Sequence, residues 1–325
     1  MIHSMLGRKK PSIYYHAPDY PAPSWGIGLI YKHVELLRKN GYDAAVVHRR
    51  FPFQLDWLET DAPVVYLDAG FSPKRRDILV VPETEARHQS LRRLHCRKLV
   101  FVQGSFLILN RLAEAVTYPQ LGYEQAIVIM PHTRVIVERH FDVPASIVPP
   151  FIAPYFFTNE SALNTTRRLR RILTFPKPAA EDYDILNKML RRYLASKPDW
   201  QLIEIKGLSH REAAAFMQQS AFLVNVNTRE AFNTTVPEAM AAGCIPVCYE
   251  AYGGQDFLRD GENAFVFPNN YIYPLLDRVY ELIETYDSSQ DGLAQIRTNA
   301  YATARQYTIE RTEAALLAFY ESILA

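Results

Sequence analysis

The sequence predicts an α/β protein made of two doubly wound, mostly parallel sheets, and three observations carry that expectation. Short β-leaning apolar runs alternate with helical segments over residues 12–149, the order that parallel strand–helix–strand units impose. Regularity breaks at Pro149, Pro150 and Pro154, and the same alternation restarts near Arg171. A chain of 325 residues is long enough for two domains, each burying its own core. The expected division is 1–150 and 151–300, followed by a helical tail at 301–325 that returns to the first domain.

Composition narrows the function classes. With 48% apolar and 22% charged residues the chain reads as globular, and a net charge of +1 argues against bulk attraction to nucleic acid or acidic lipid. Three cysteines without a CxxC pair fit a reducing compartment, with Cys244 and Cys248 expected as strand packing. No apolar run reaches the ~18 residues of a bilayer span, and residues 1–20 carry no apolar leader core. The cytoplasm is therefore the expected location, with peripheral membrane association left open and no integral membrane segment.

In the first half, strands are expected at Ser12–His16, Ala44–His48, Val64–Asp68, Ile78–Val81, Leu99–Gln103 and Ile127–Met130. The helix before Gly41 carries Ile30, Val34 and Leu37 on one face. Gly26 and Gly28 stand where the first strand's loop enters that helix. Gly-x-Gly lets a backbone approach a phosphate, but two glycines without the third serve equally as a tight turn. His132 follows the expected strand Ile127–Met130 and so stands at the edge of the sheet where ligands bind.

After the proline break, the basic run at 167–171 is expected to be solvated, and Arg171–Phe175 to be a strand. Lys177 follows it, then a helix with Leu186, Met189 or Leu190, and Tyr193 on one face. Trp200–Lys206 reads as a strand. Ser209-x-x-Glu212 is a capping-box start for a helix to Gln219. Amphipathic helices close the chain, including Tyr271–Tyr286 and Thr308–Leu324.

The most informative stretch is 221–248. Ala221–Val226 is a buried strand by its apolar run; Pro237 suits a first helical turn and Gly243 a helix end, and Cys244–Cys248 resumes as strand. The amides and dipole of that helix start suit a diphosphate. Glu230 and Glu238 flank it, and carboxylates accept from sugar hydroxyls. A second reading stands beside this one: Thr235 and Glu238 have capping-box spacing, and Glu230 is then a solvated loop residue.

The string Glu230-Ala-Phe-Asn-Thr-Thr-Val-Pro-Glu238-Ala-Met-Ala-Ala-Gly243-Cys-Ile-Pro246-Val resembles the E-G-F-G-L-P-x-x-E-A-M-A-x-G-x-P-V signature of retaining glycosyltransferases of family 4, glycosyl transferases group 1. Ala231 and Asn233 stand where that family has glycine. Gly253-Gly254 and Arg259–Asn263 continue the resemblance. It implies the GT-B fold, two Rossmann-like domains facing across a cleft, and a nucleotide-sugar donor, UDP- or GDP-linked, with no other cofactor. It also implies donor-sugar contact by Glu230, ribose contact by Glu238, and donor binding by Phe232, Asn233, Thr234, Thr235, Gly26 and Gly28. Lys177 matches one member of the family's diphosphate-binding basic pair; Pro178 stands near the place of the other. Gln103 lies where many members carry an acceptor-side histidine. The expected activity is metal-independent hexosyl transfer with retention to an unidentified sugar or glycan. An inactive nucleotide-sugar sensor of the same fold is the alternative. A nicotinamide enzyme is disfavoured by the missing full GxGxxG.

Overall fold

The computed structural model describes residues 10–113, 115–165, 168–176 and 182–325. The chain divides into two compact units: residues 1–149 with 312–325, and residues 150–311.

Unit 1 is a seven-stranded parallel sheet. Its elements begin with β1 (Ile13–His16), α1 (Trp25–Lys39), β2 (Ala44–His48), β3 (Val64–Tyr66), β4 (Ile78–Pro82) and a short α2 (Gln89–Arg92). They continue with β5 (Arg97–Val102), α3 (Ser105–Arg111), β6 (Gln125–Val128), α4 (Pro131–Phe141) and β7 (Ala145–Ile147). The strand order is β3-β2-β1-β4-β5-β6-β7, with every pairing parallel. Strands buried on both faces read as unbroken apolar runs, which is why Ile78–Pro82 and Leu99–Val102 are fully buried. The α1 face of Ile30, Val34 and Leu37 is buried as its spacing predicts, and Gly41 stands just past the helix at φ 79°.

Unit 2 holds β8 (Leu169–Thr174), α5 (Tyr183–Leu194), β9 (Gln201–Glu204), α6 (His210–Gln219), β10 (Ser220–Asn225), α7 (Thr235–Ala242), β11 (Ile245–Tyr249), β12 (Phe265–Phe267), α8 (Ile272–Thr285) and α9 (Gln290–Ala304). Its five strands run in the order β12-β11-β10-β8-β9, again all parallel. Trp200, Phe222 and Tyr286 meet in the core, with Trp200 stacked on Phe222 at 6.1 Å. Cys244 and Cys248 are free and buried, and burial pushes both thiols up to about 12.

The final helix, α10 (Ile309–Leu324), buries Thr312, Leu316, Phe319 and Tyr320. The buried stripe therefore runs 312–316–319–320 rather than along every apolar position. Tyr320 Oη–H donates to Tyr15 Oη at 3.0 Å, Thr312 Oγ1 to the Pro149 carbonyl at 2.9 Å, and Arg97 Nη1 to the Ile323 carbonyl at 3.1 Å. No helix among the described residues is long and apolar enough to cross a membrane.

Most expected strands shift by a residue or two at their ends, and two strands were not expected. β7 and β12 are three-residue strands, too short for a period-2 signal to register. The strand expected at Ile127–Met130 begins at Gln125 and stops at Val128. Pro131 lacks the N–H a ladder needs and opens α4, with Met130 as its cap.

Candidate active site

In an open parallel sheet, ligands bind beyond the carboxyl ends of the strands where the winding direction reverses. In unit 2 the reversal lies between β8 and β10. The loop after β10 carries Glu230 to Thr234, and α7 begins directly after it. Lys177, which follows β8, lies outside the described residues.

The loop is held tightly. Asn225, the last residue of β10, accepts through Oδ1 from the Asn227 amide at 3.0 Å and from Asn233 Nδ2 at 3.3 Å. Asn233 is buried with φ 51°, a left-handed conformation that asparagine tolerates better than most residues. An asparagine thus fills a place where the resembling family has glycine. Phe232 is 3% exposed, its ring packed on Tyr307 at 4.7 Å and Phe257 at 5.8 Å, so its side chain anchors the loop to the unit's core. The Glu230 carbonyl accepts from the Gly253 amide at 2.9 Å, and Gly253 lies so close that a Cβ there would stand 1.6 Å from the Ala231 carbonyl oxygen. Gly253 is therefore the floor under Glu230, which is itself half-buried.

Thr235 opens α7, and the cap residue Thr234 makes no side-chain cap bond. The first amides of a helix have no intrahelical partner, so the start of α7 suits an anion. Glu238 does not close its own helix. It is 5% exposed, and Oε1 accepts from His210 Nε2 at 2.9 Å. His210 stands at the start of α6, fixed by the capping box in which Glu212 N donates to Ser209 Oγ at 3.3 Å and Ser209 N to Glu212 Oε2 at 2.7 Å. Tyr155 Oη lies 2.7 Å from His210 Nδ1. A neutral imidazole that accepts from Tyr155 and donates to Glu238 satisfies all three groups. Burial pushes the Glu238 carboxyl above its ordinary value and the His210 bond opposes that shift. Sequence reasoning missed His210, read only as an inner position of a capping box, and Tyr155, which no site motif marks.

The unit 1 sheet reverses between β1 and β4, and a second polar cluster lines that carboxyl edge. Gln103, just past β5, donates from Nε2 to the Gly26 carbonyl at 3.1 Å. A Cβ at Gly26 would meet Gln103 Oε1 at 2.3 Å, whereas Gly28 has open space around it. Both glycines lie in the first turn of α1 behind the cap Ser24. The amides of Gln103 and Gly104 donate to Glu83 Oε1 at 3.1 and 2.9 Å, and burial raises the Glu83 carboxyl to about 7. His16 Nε2 lies 3.8 Å from Glu85 Oε2, and His48 Nδ1 is 3.0 Å from Asp19 Oδ1. His132 is buried in the first turn of α4, where its Nε2 lies 3.2 Å from Thr133 Oγ1. Glu83, Glu85 and His16 give no sequence signal, because what joins them is strand order.

Comparison with known proteins agrees with this layout. Residues 196–302 match the family described as Glycosyl transferases group 1. A curated relative, an alpha-1,6-glucosyltransferase of Actinobacillus pleuropneumoniae serotype 7 (strain AP76), is 25% identical over 228 residues, 68% of this chain and 67% of the relative. Among solved structures, sucrose-phosphate synthase from Thermosynechococcus elongatus superposes with a TM-score of 0.73 at 11% identity, covering 97% of this chain and 99% of that one. Anabaena HepE in complex with UDP-glucose gives a TM-score of 0.66 at 11% identity over 96% of this chain and 99% of that one. The pneumococcal O-GlcNAc transferase GtfA in complex with UDP and GlcNAc gives 0.65 at 11% identity, with 97% and 98% covered. With the Glu230–Val247 motif on the reversal edge of the second of two parallel sheets, the chain has the GT-B fold and is similar to group 1 glycosyltransferases over residues 196–302.

Proposed function

We propose that the protein moves a hexose from a UDP- or GDP-linked donor to a sugar or glycan acceptor, with retention at the anomeric carbon and without a metal ion. The observation that supports this best is the buried Glu238 beside the amide turn Asn233–Thr235. A carboxylate that accepts from ribose hydroxyls then sits next to a donor set suited to a diphosphate. Glu230, Lys177, Phe232, Asn233, Thr234 and Thr235 complete the donor side in this reading. Gly26, Gly28, Gln103 and His132 stay with unit 1, of which Gln103 and His132 are the acceptor-side candidates. Solved neighbours hold UDP or UDP-glucose, and the curated relative is named for an α linkage. Retention from an α-linked nucleotide glucose gives an α-glycoside. The named glucosyltransferase relative also favours transfer over an inactive sensor.

The reaction balances without a protein nucleophile. The anomeric carbon loses its bond to the diphosphate oxygen and gains one to the acceptor oxygen on the same face. The acceptor's hydroxyl proton passes to the leaving phosphate. Preorganised amides at Asn233–Thr235, with Lys177, stabilise the departing charge. NMR assignment of the first-formed product should show the donor's anomeric configuration; inversion would overturn the proposal.

Transfer should also survive EDTA. Asp182-Tyr-Asp184 is the chain's only Asp-x-Asp pair, but Asp182 caps α5 and accepts the Tyr249 hydroxyl, whereas Asp184 is exposed in the first turn. Side chains two apart on a helix diverge by roughly 200°. Loss of activity on chelation, restored by magnesium or manganese, would transfer the electrostatic role to an ion.

A further inference from the structure

Two arginines of unit 2 are buried with no carboxylate partner among the described residues. Arg168 and Arg297 are each 4% exposed and line a cavity of about 440 Å³ together with Asn164, Thr165, Arg170 and Gln290. The basic run at 167–171, expected in solvent, in fact sends Arg168 inward. Arg168 Nη1 donates to the Gln218 carbonyl, and Arg297 donates from Nε to the Gly243 carbonyl at 3.1 Å and from Nη1 to Asn164 Oδ1 at 3.0 Å. Arg168 Nε has no partner among the described residues. Among the described residues that line the cavity the acid is Asp287, which pairs with Arg170; Arg170 also bonds Asp199 at 3.2 Å.

The carbonyls belong to the ends of α6 and α7, and cations near helix C-termini are favourable. That accounts for one guanidinium at each helix end. It leaves Arg168 Nε unmet and, among the described residues, gives neither Arg168 nor Arg297 a carboxylate of its own, since Asp287 pairs with Arg170. Burial lowers the affinity of both guanidiniums for their proton, and Arg297 lowers that of Arg168 further, so the pair calls for negative charge. The cavity lies at the C-terminal end of α7, opposite the end that carries the amide turn. Gly243 is glycine both for its φ of 74° and because a Cβ would stand 2.3 Å from Arg168 Nη2.

We propose that Arg168 and Arg297, with Asn164, Thr165 and Gln290, form a second anion site for a phosphate-class oxyanion, separate from the donor site. Arginine forks match the oxygens of such an anion. The anion supplies the missing counter-charge and ties the ends of α6 and α7 together.

The test is thermal unfolding of the whole chain in inorganic phosphate against sodium chloride of equal ionic strength. Phosphate at tens of millimolar should raise Tm by about 2–4 °C over the chloride control. Asn164→Asp places a carboxylate against Arg297. It should raise Tm in chloride and remove most of the phosphate increment, because the counter-charge is then built in. An equal increment in wild type and Asn164→Asp would place the phosphate elsewhere, the donor site included, and overturn the proposal. Absence of any increment over chloride in wild type would overturn it as well. Arg170→Ala, at the cavity's more exposed rim, should weaken the phosphate effect without abolishing it, and a full-size increment there with none lost in Asn164→Asp counts against the site. None of these readouts depends on the transfer reaction.

Discussion

Glu238→Ala lowers affinity for the free nucleoside diphosphate by roughly ten- to over a hundredfold if this residue holds ribose, since a hydrogen bond to a charged group contributes about 1.5–3 kcal/mol. The carboxylate is buried and its outer partner is His210, so the substitution also leaves an imidazole N–H without its acceptor. Glu230→Ala should behave differently: free nucleotide binds nearly as before, while the nucleotide sugar loses affinity and turnover. Calorimetry with nucleoside diphosphate and with nucleotide sugar separates the two. Unchanged nucleotide affinity in folded Glu238→Ala would make the carboxylate a structural partner of α6 and nothing more.

Gly253→Ala should cost transfer at least about a hundredfold, because a misplacement of about 1 Å at a reacting group suffices for that. A methyl group 1.6 Å from the Ala231 carbonyl oxygen and 2.4 Å from its carbon cannot be absorbed by a rotamer, since both atoms are backbone. The Glu230–Ala231 segment must move, and with it the carboxylate assigned to the donor sugar. Overpacking of this kind also costs about 1–3 kcal/mol of stability. Circular dichroism should still report a folded chain, and free-nucleotide affinity should fall less than turnover. Turnover within threefold of wild type would show that Glu230 does not depend on the floor beneath it.

Much of the fold was legible because its signals are local. Apolar runs marked the long buried strands, and Pro237 and Gly243 bracket α7 almost to the residue. The capping box at Ser209–Glu212 is present as its spacing predicts. The second such spacing, Thr235–Glu238, left two readings open for an instructive reason: an acid three residues into a helix either reaches back to its own cap or outward to a neighbour. Here a histidine 28 positions earlier takes it, and spacing alone cannot tell the two cases apart. The same limit hid Glu83, which gathers two amides about twenty positions away, and the Arg168–Arg297 pair. Partners brought together by strand order leave no periodic trace in the sequence. Gly26 and Gly28 look alike in sequence, yet only Gly26 is required by a close neighbour.

The helix α10 gives the molecule an order of completion that runs against its order of synthesis. The first 149 residues contain every strand of unit 1, but the unit is finished only by residues 312–325. Until Tyr320 is made, the hydroxyl of Tyr15 lacks the partner it has in the finished chain, and the core face of Leu316 and Phe319 is missing. Unit 2 is whole once Arg311 has emerged. The domain begun second on the ribosome is therefore the first that can close, and the one begun first waits for the last helix.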